Sequence, residues 1–180
     1  PMRLLCEELS TAEGMTAVHC THTAPADMAA FLERGGRVCV CPLTEGYLGD
    51  GIPDLSAPHA AGGRLCLGTD SNTRIAPIEE MRWLEYGQRL RGERRGALAD
   101  ARGGVAATLL EAATSGGAAA LGIGGGRIAP GEWADFVALK LGAVPLAGEP
   151  AEGLLDAIVF GAGNEAVAGT FVGGKWRAAD

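Results

Sequence analysis

Histidine is scarce in this sequence: His19, His22 and His59 are the only three in 180 residues. Long apolar runs are missing too. No stretch approaches the roughly 20 residues that a membrane-spanning helix needs, and the first residues carry no basic segment followed by an apolar signal core. A membrane role is therefore not expected, and the expected location is the cytoplasm. Concentrated positive charge is also absent. The formal net charge is -7, the isoelectric point is near 5.0, and the one basic cluster, Arg89 to Arg95, is short and interrupted by Glu93. A phosphate backbone needs a basic surface to bind, so a nucleic-acid partner is not expected.

Cysteine comes as an odd five, Cys6, Cys20, Cys39, Cys41 and Cys66, so no disulfide scheme pairs them all. Four lie in or beside apolar strand-like runs, which predicts reduced, buried thiols. Cys39 and Cys41 form a C-x-C pair, but alternation along a strand puts both on one face as small apolar fillers. The second pair that zinc sites normally show is missing. What remains is 47% hydrophobic and 21% charged with 29 glycines, the composition of a globular chain able to bury a core. Pro1 precedes Met2, and the opening residues read like the middle of a helix, so sequence upstream of Pro1 is expected.

Helical and extended segments alternate, the pattern that builds parallel sheets. Residues 1–13 end a helix, and residues 16–20 (TAVHC) are extended. Residues 25–34 are helical and stop at Gly35-Gly36. The run RVCVC at 37–41 is a second strand, predicted to enter a glycine-rich loop over 44–51 and then a weak helix over 54–61. RLCLG at 64–68 is a third strand. A strong helix follows over 77–91, with Pro77 in its first turn and Glu79-Glu80 at its positive end, and another over 106–121. Beyond Gly122 the texture changes: glycine clusters bound short apolar runs at 136–139, 157–160 and 167–172, all predicted as strands. A boundary near 123 divides the chain into residues 1–123 and 124–180.

Polar residues collect where these parallel strands end, the place where such folds put their chemistry. His19 ends TAVHC, Thr44 and Glu45 follow RVCVC, and Asp70 follows RLCLG. Each has a structural alternative: a lone histidine after a strand often serves as a hydrogen-bonder, and an aspartate before a helix often serves as its N-cap. Asp70, however, stands several residues before Pro77 with no turn to cap. His22 is a weaker candidate for the same rim, and His59, on the weak helix, is expected to face solvent.

Four motifs, AVHCTHT (17–23), CPLTEGYLGDG (41–51), LGTDSN (67–72) and EEMRWLEYGQRLR (79–91), resemble the amidohydrolase superfamily in its cytosine-deaminase-like and chlorohydrolase-like branch. They are most similar to its formimidoylglutamate deiminase family, of which WLEYGQRLR is the characteristic helix. The segments GRIAPGEWADFVALKL, AIVFG and VAGTFVGGKW resemble the superfamily's β-sandwich, so the likeness spans nearly the whole chain. It implies an α/β fold: the C-terminal half of a distorted (β/α)8 TIM barrel, strands six to eight with their helices, over residues 1–123, and a small β-sandwich module over 124–180.

The resemblance further implies one divalent metal ion, zinc or iron, with Asp70 as its ligand at the end of strand eight and as a catalytic residue that accepts a proton from the attacking water. His19, ending strand six, would position the attacking water and move protons, while Glu45, Thr44 and Asn72 would lie near a small-molecule substrate. The family's H-x-H pair and fifth-strand histidine have no counterpart among histidines 19, 22 and 59. The other ligands must then come from a missing N-terminal half or another copy of the chain, since a catalytic zinc normally has about three protein ligands. The implied reaction is hydrolytic deimination of N-formimino-L-glutamate to N-formyl-L-glutamate and ammonia, in histidine degradation. The alternatives are a guanine, cytosine or triazine aminohydrolase of the same branch, or a non-catalytic half-barrel fragment.

Overall fold

The computed structural model describes residues 1–71 and 74–178. Three short strands, β1 (Thr16–Val18), β2 (Arg37–Val40) and β3 (Arg64–Leu67), form a parallel sheet in the order β1-β2-β3. Ala17 pairs with Val38, and Cys39 with both Val18 and Cys66. Paired residues of a parallel ladder share a face. Val38, Val40 and Leu65 turn toward Met28, Phe31 and Leu109 in one core of buried side chains, while Val18 on the opposite face is 50% exposed. One face of the sheet is thus covered by helices, and the other is open at Val18.

Helix α1 (Met2–Glu8) precedes the sheet and packs on α2 (Pro25–Glu33), the β1–β2 crossover. Between β2 and β3 the chain makes two helices, α3 (Pro42–Leu48) and α4 (Ser56–Ala60). The first of these replaces the loop predicted from Thr44 onward. Its glycines suggest a loop, but Pro42 sets the first helical turn, and the Glu45 side chain reaches back to the amide of the preceding Cys41 as a capping box does. Gly49, at φ +74°, supplies the left-handed residue that ends the helix.

Helix α5 (Pro77–Gly92) follows β3 and holds the motif EEMRWLEYGQRLR. Its polar residues are structural anchors. Glu85, fully buried, accepts hydrogen bonds from Arg89 and from the Ala97 and Leu98 amides. Gln88 accepts from the Leu55 amide and donates to the Pro53 carbonyl. Most buried polar groups are satisfied in this way, and Glu85 and Gln88 give this helix much of its distinctive sequence.

The single helix predicted over 106–121 is two, α6 (Ala106–Ala113) and α7 (Ser115–Leu121), broken at Thr114 (φ -116°, ψ -90°). Close approach explains the turn that follows. A Cβ on Gly116 would stand 2.5 Å from the Leu65 carbonyl oxygen, so α7 can lie against β3 only with glycine there.

The predicted strand at 157–160 is also corrected. It is helix α8 (Leu154–Gly161), with Val159 fully buried in the main core and Arg82 donating to the carbonyls of Val159 and Ala162. A four-residue apolar run does not distinguish a buried strand from a buried helix. The strands β4 (Phe136–Leu139) and β5 (Val167–Val172) form where expected. With β6 (Lys175–Ala178), not anticipated from the sequence, they make an antiparallel sheet in the order β4-β5-β6, on which Phe136 stacks on Phe171 with centroids 4.4 Å apart and Trp176 meets Phe171 edge-on at 4.9 Å.

Candidate active site

The ends of β1 and β3 are locally strained. Among the described residues four non-glycines have positive φ, and three of them, His19 (65°), Cys20 (56°) and Asp70 (48°), sit at this rim. Such conformations persist only where surrounding contacts impose them, and they concentrate at functional sites. The amide of His19 is still held by the sheet, donating to the Cys39 carbonyl at 2.8 Å.

His19 lies between two carboxylates. Its Nδ1 is 3.1 Å from Glu45 Oε1, and its Nε2 is 3.7 Å from Asp70 Oδ2. Glu45 is 4% exposed, and the same Oε1 accepts the Cys41 amide at 3.0 Å. Burial pushes its carboxyl above the ordinary glutamate value, opposed by the Cys41 amide and the His19 ring. A carboxylate at Nδ1 selects the tautomer with the proton there and leaves Nε2 on the Asp70 side to take or give one. The outer pair is open, with side chains 36% exposed for His19 and 43% for Asp70.

Of the other sequence-predicted residues, Thr44 is 2% exposed, with its hydroxyl bonded to Thr69 and Ser71 on either side of Asp70. Asn72 lies outside the described residues. His22 is exposed along a shallow cleft of about 510 Å³ that also contains His19 and Asp50. His59, expected to face solvent, is half-buried with Nε2 3.1 Å from the Ala99 carbonyl, a structural role.

Two features were not anticipated. Glu80, read from sequence only as favourable charge at a helix start, is 1% exposed; its Oε2 accepts the Leu43 amide at 2.9 Å, and its buried Oε1 has no hydrogen-bond partner among the described residues. Desolvation, together with the negative charges of Glu45 and Glu79, raises its pKa to about 7 against the opposing pull of the Leu43 amide. In the unfolded chain the proton is held only below about 4.5. Stability contributed by the neutral form is therefore complete below that pH and is lost as pH rises through about 7. Glu80→Gln is expected to unfold at a similar urea midpoint to the parent near pH 5 and to gain up to about 3 kcal/mol over it near pH 8. Equal midpoints at both pH values would contradict this.

The second feature is a thiol cluster. All five cysteines are free, and Cys39, Cys41 and Cys66 gather beside Gly68, where a Cβ would stand 3.1 Å from Cys41 Sγ and 3.2 Å from Cys39 Sγ. The neighbouring Cys41 and Cys66 thiols pull Cys39 below the ordinary thiol value, while the Cys39 sulfur and burial push those two above it.

Among the described residues no group of three or more histidine, cysteine, aspartate or glutamate side chains could hold a metal ion. The open Asp70 carboxylate beside His19 Nε2 fits one position of a divalent cation's ligand set, not a complete set.

The sequence matches the Amidohydrolase family over residues 5–177. The chain belongs to that family. Along its whole length it is 39% identical to formimidoylglutamate deiminase of Pseudomonas aeruginosa, covering 40% of that protein. The fold superposes on the crystal structure of an amidohydrolase from Brucella melitensis with a TM-score of 0.87 at 31% identity, covering 99% of this chain and 39% of the other. It superposes on an adenosine deaminase from Xanthomonas campestris with bound zinc at a TM-score of 0.81 and 30% identity, covering 93% and 38%. The amidohydrolase chain thus spans about 40% of the length of the relatives it matches. Its helix α5 owes its distinctive polar sequence to buried contacts, as described above. No helix among the described residues is long and apolar enough to cross a membrane.

Proposed function

We propose that this amidohydrolase chain forms the strand-six-to-eight part of a cytoplasmic, metal-dependent hydrolytic deiminase that converts N-formimino-L-glutamate to N-formyl-L-glutamate and ammonia in histidine degradation. The observation that carries the reading is the line Glu45–His19–Asp70 across the strand ends. The 39% identity to a formimidoylglutamate deiminase along the whole chain supports the substrate. Residues 1–123 are read as the second half of a (β/α)8 barrel, supported by three parallel strands with helices on one face, and 124–180 as a small C-terminal β-sandwich module.

Asp70 would hold a zinc or iron ion, which when bound supplies Lewis-acid activation of water. Within this chain His19 and Asp70 share the proton work. With Glu45 holding Nδ1–H, Nε2 accepts a proton as water adds to the formimino carbon and returns one to the departing nitrogen, so that ammonia leaves as the carbonyl forms. Glu45 acts through His19 and, because it is buried, keeps the ring from rotating. The Thr44–Glu45 segment lies beside the substrate in this reading. The remaining metal ligands come from the N-terminal half of a longer protein or from another copy of the chain.

The 30% identity to an adenosine deaminase with bound zinc favours a second reading, an aminohydrolase of a purine or related ring. Ammonia release from formimidoylglutamate, guanine and adenosine by the full-length protein separates the two; turnover of a ring substrate alone would overturn the first. For the 180 residues by themselves, stoichiometric tightly held zinc would contradict the division of ligands proposed here.

A further inference from the structure

We propose that Thr44 is a positioning residue whose single hydroxyl sets the backbone conformation, and so the carboxylate direction, of Asp70. Asp70 sits at φ +48°, in the left-handed region that aspartate tolerates better than most L-residues but still adopts only as a minority conformation. The Thr44 hydroxyl donates to the carbonyl of Thr69 at 2.9 Å and accepts the amide of Ser71 at 3.2 Å. That carbonyl belongs to the peptide unit before Asp70 and that amide to the unit after it. Pinning both units to one oxygen fixes the two rotations, φ and ψ, by which Asp70 could turn. Ser71 Oγ lies 3.0 Å from the same oxygen and completes its bonding: one donated hydrogen bond and two accepted.

Burial makes the clamp hard to replace, since Thr44 is 2% exposed and water has little access to restore a lost bond. Its position in the fold gives it a second consequence. Thr44 and Glu45 are successive residues of α3; one holds the flanks of Asp70, and the other holds His19 Nδ1. The helix therefore ties together the two groups whose reacting atoms stand 3.7 Å apart. Glu80 in turn holds the first turn of α3 through the Leu43 amide.

The functional weight of this inference rests on the reading of Asp70 as the site's metal-holding acid, but the clamp can be tested without it. In the full chain, amide hydrogen exchange at Ser71 and the three-bond HN–Hα coupling of Asp70 are measured for the parent, Thr44→Ser and Thr44→Val. The parent is expected to protect the Ser71 amide, Thr44→Ser to stay within about twofold of it, and Thr44→Val to speed exchange about tenfold or more and to change the Asp70 coupling. An unprotected Ser71 amide in the parent overturns the proposal whether or not the valine variant folds. A folded valine variant with parent-like exchange and coupling overturns it equally. In the metal-loaded full-length protein, Thr44→Val should lower kcat about 10–100-fold with KM held, and Thr44→Ser should restore it. If exchange and coupling behave as expected while no substrate is turned over even by the parent, the clamp stands and the deiminase reading falls.

Discussion

Replacing Asp70 with asparagine is expected to lower turnover of the full-length protein by on the order of 10²–10⁴-fold and to release its bound ion. The substitution changes little else. Asparagine has nearly the shape of aspartate and, like it, tolerates the left-handed backbone found here at φ +48°. Its side chain lacks both the negative charge a divalent cation requires and the capacity to pair with a protonated His19, whose Nε2 is 3.7 Å away. Asp70 is substantially exposed, so no buried network collapses when its charge is removed. Metal content, activity and melting temperature should therefore separate cleanly, the first two falling and the third holding. Retention of both metal and activity by Asp70→Asn would refute the assignment of the ligand.

His19→Asn is expected to cost turnover a comparable factor, on the order of 10²–10⁴-fold, with metal content unchanged. The contrast follows from where each group stands. His19 is held on one side by the buried Glu45 carboxylate at 3.1 Å and presents its other nitrogen toward Asp70. That is the arrangement of a proton carrier oriented by a carboxylate, not of a ligand whose loss empties the site. Asparagine again suits the positive φ of 65°, so the strand end should keep its shape. Unchanged kcat in this variant, or loss of the ion with it, would remove the proposed division of labour between His19 and Asp70.

Local pattern accounts for much of what is legible along the chain. Short apolar strands at regular spacing, each ended by a polar residue and followed by a helix, are enough to place His19, Glu45 and Asp70 beside one another at one rim, because parallel strands present their C-terminal ends together. Pattern failed where two signals competed. Over 44–51, the glycines suggested a loop, while Pro42 and the cap formed by Glu45 made the start of that segment helical. At 157–160 an apolar run too short to show a period was read as strand; burial of Val159 against the main core and the hold of Arg82 on its carbonyl make it helix.

The part of the site that sequence could not disclose depends on neighbours distant along the chain. Glu80 reads as helix-start charge until the fold carries it beneath α3, where burial makes it hard to ionise. Thr44 reads as a loop hydroxyl beside the substrate until it is found bonded to both peptide units around Asp70, about 25 residues further along. The sequence by itself determined which chemical groups are available and at which strand ends they stand, because hydrophobic periodicity and the punctuation of proline and glycine act locally. The tertiary structure alone decided which oxygen faces which nitrogen, which carboxylate is stripped of water, and which hydroxyl holds Asp70 in place. Those properties arise from packing between elements, and no local pattern encodes them.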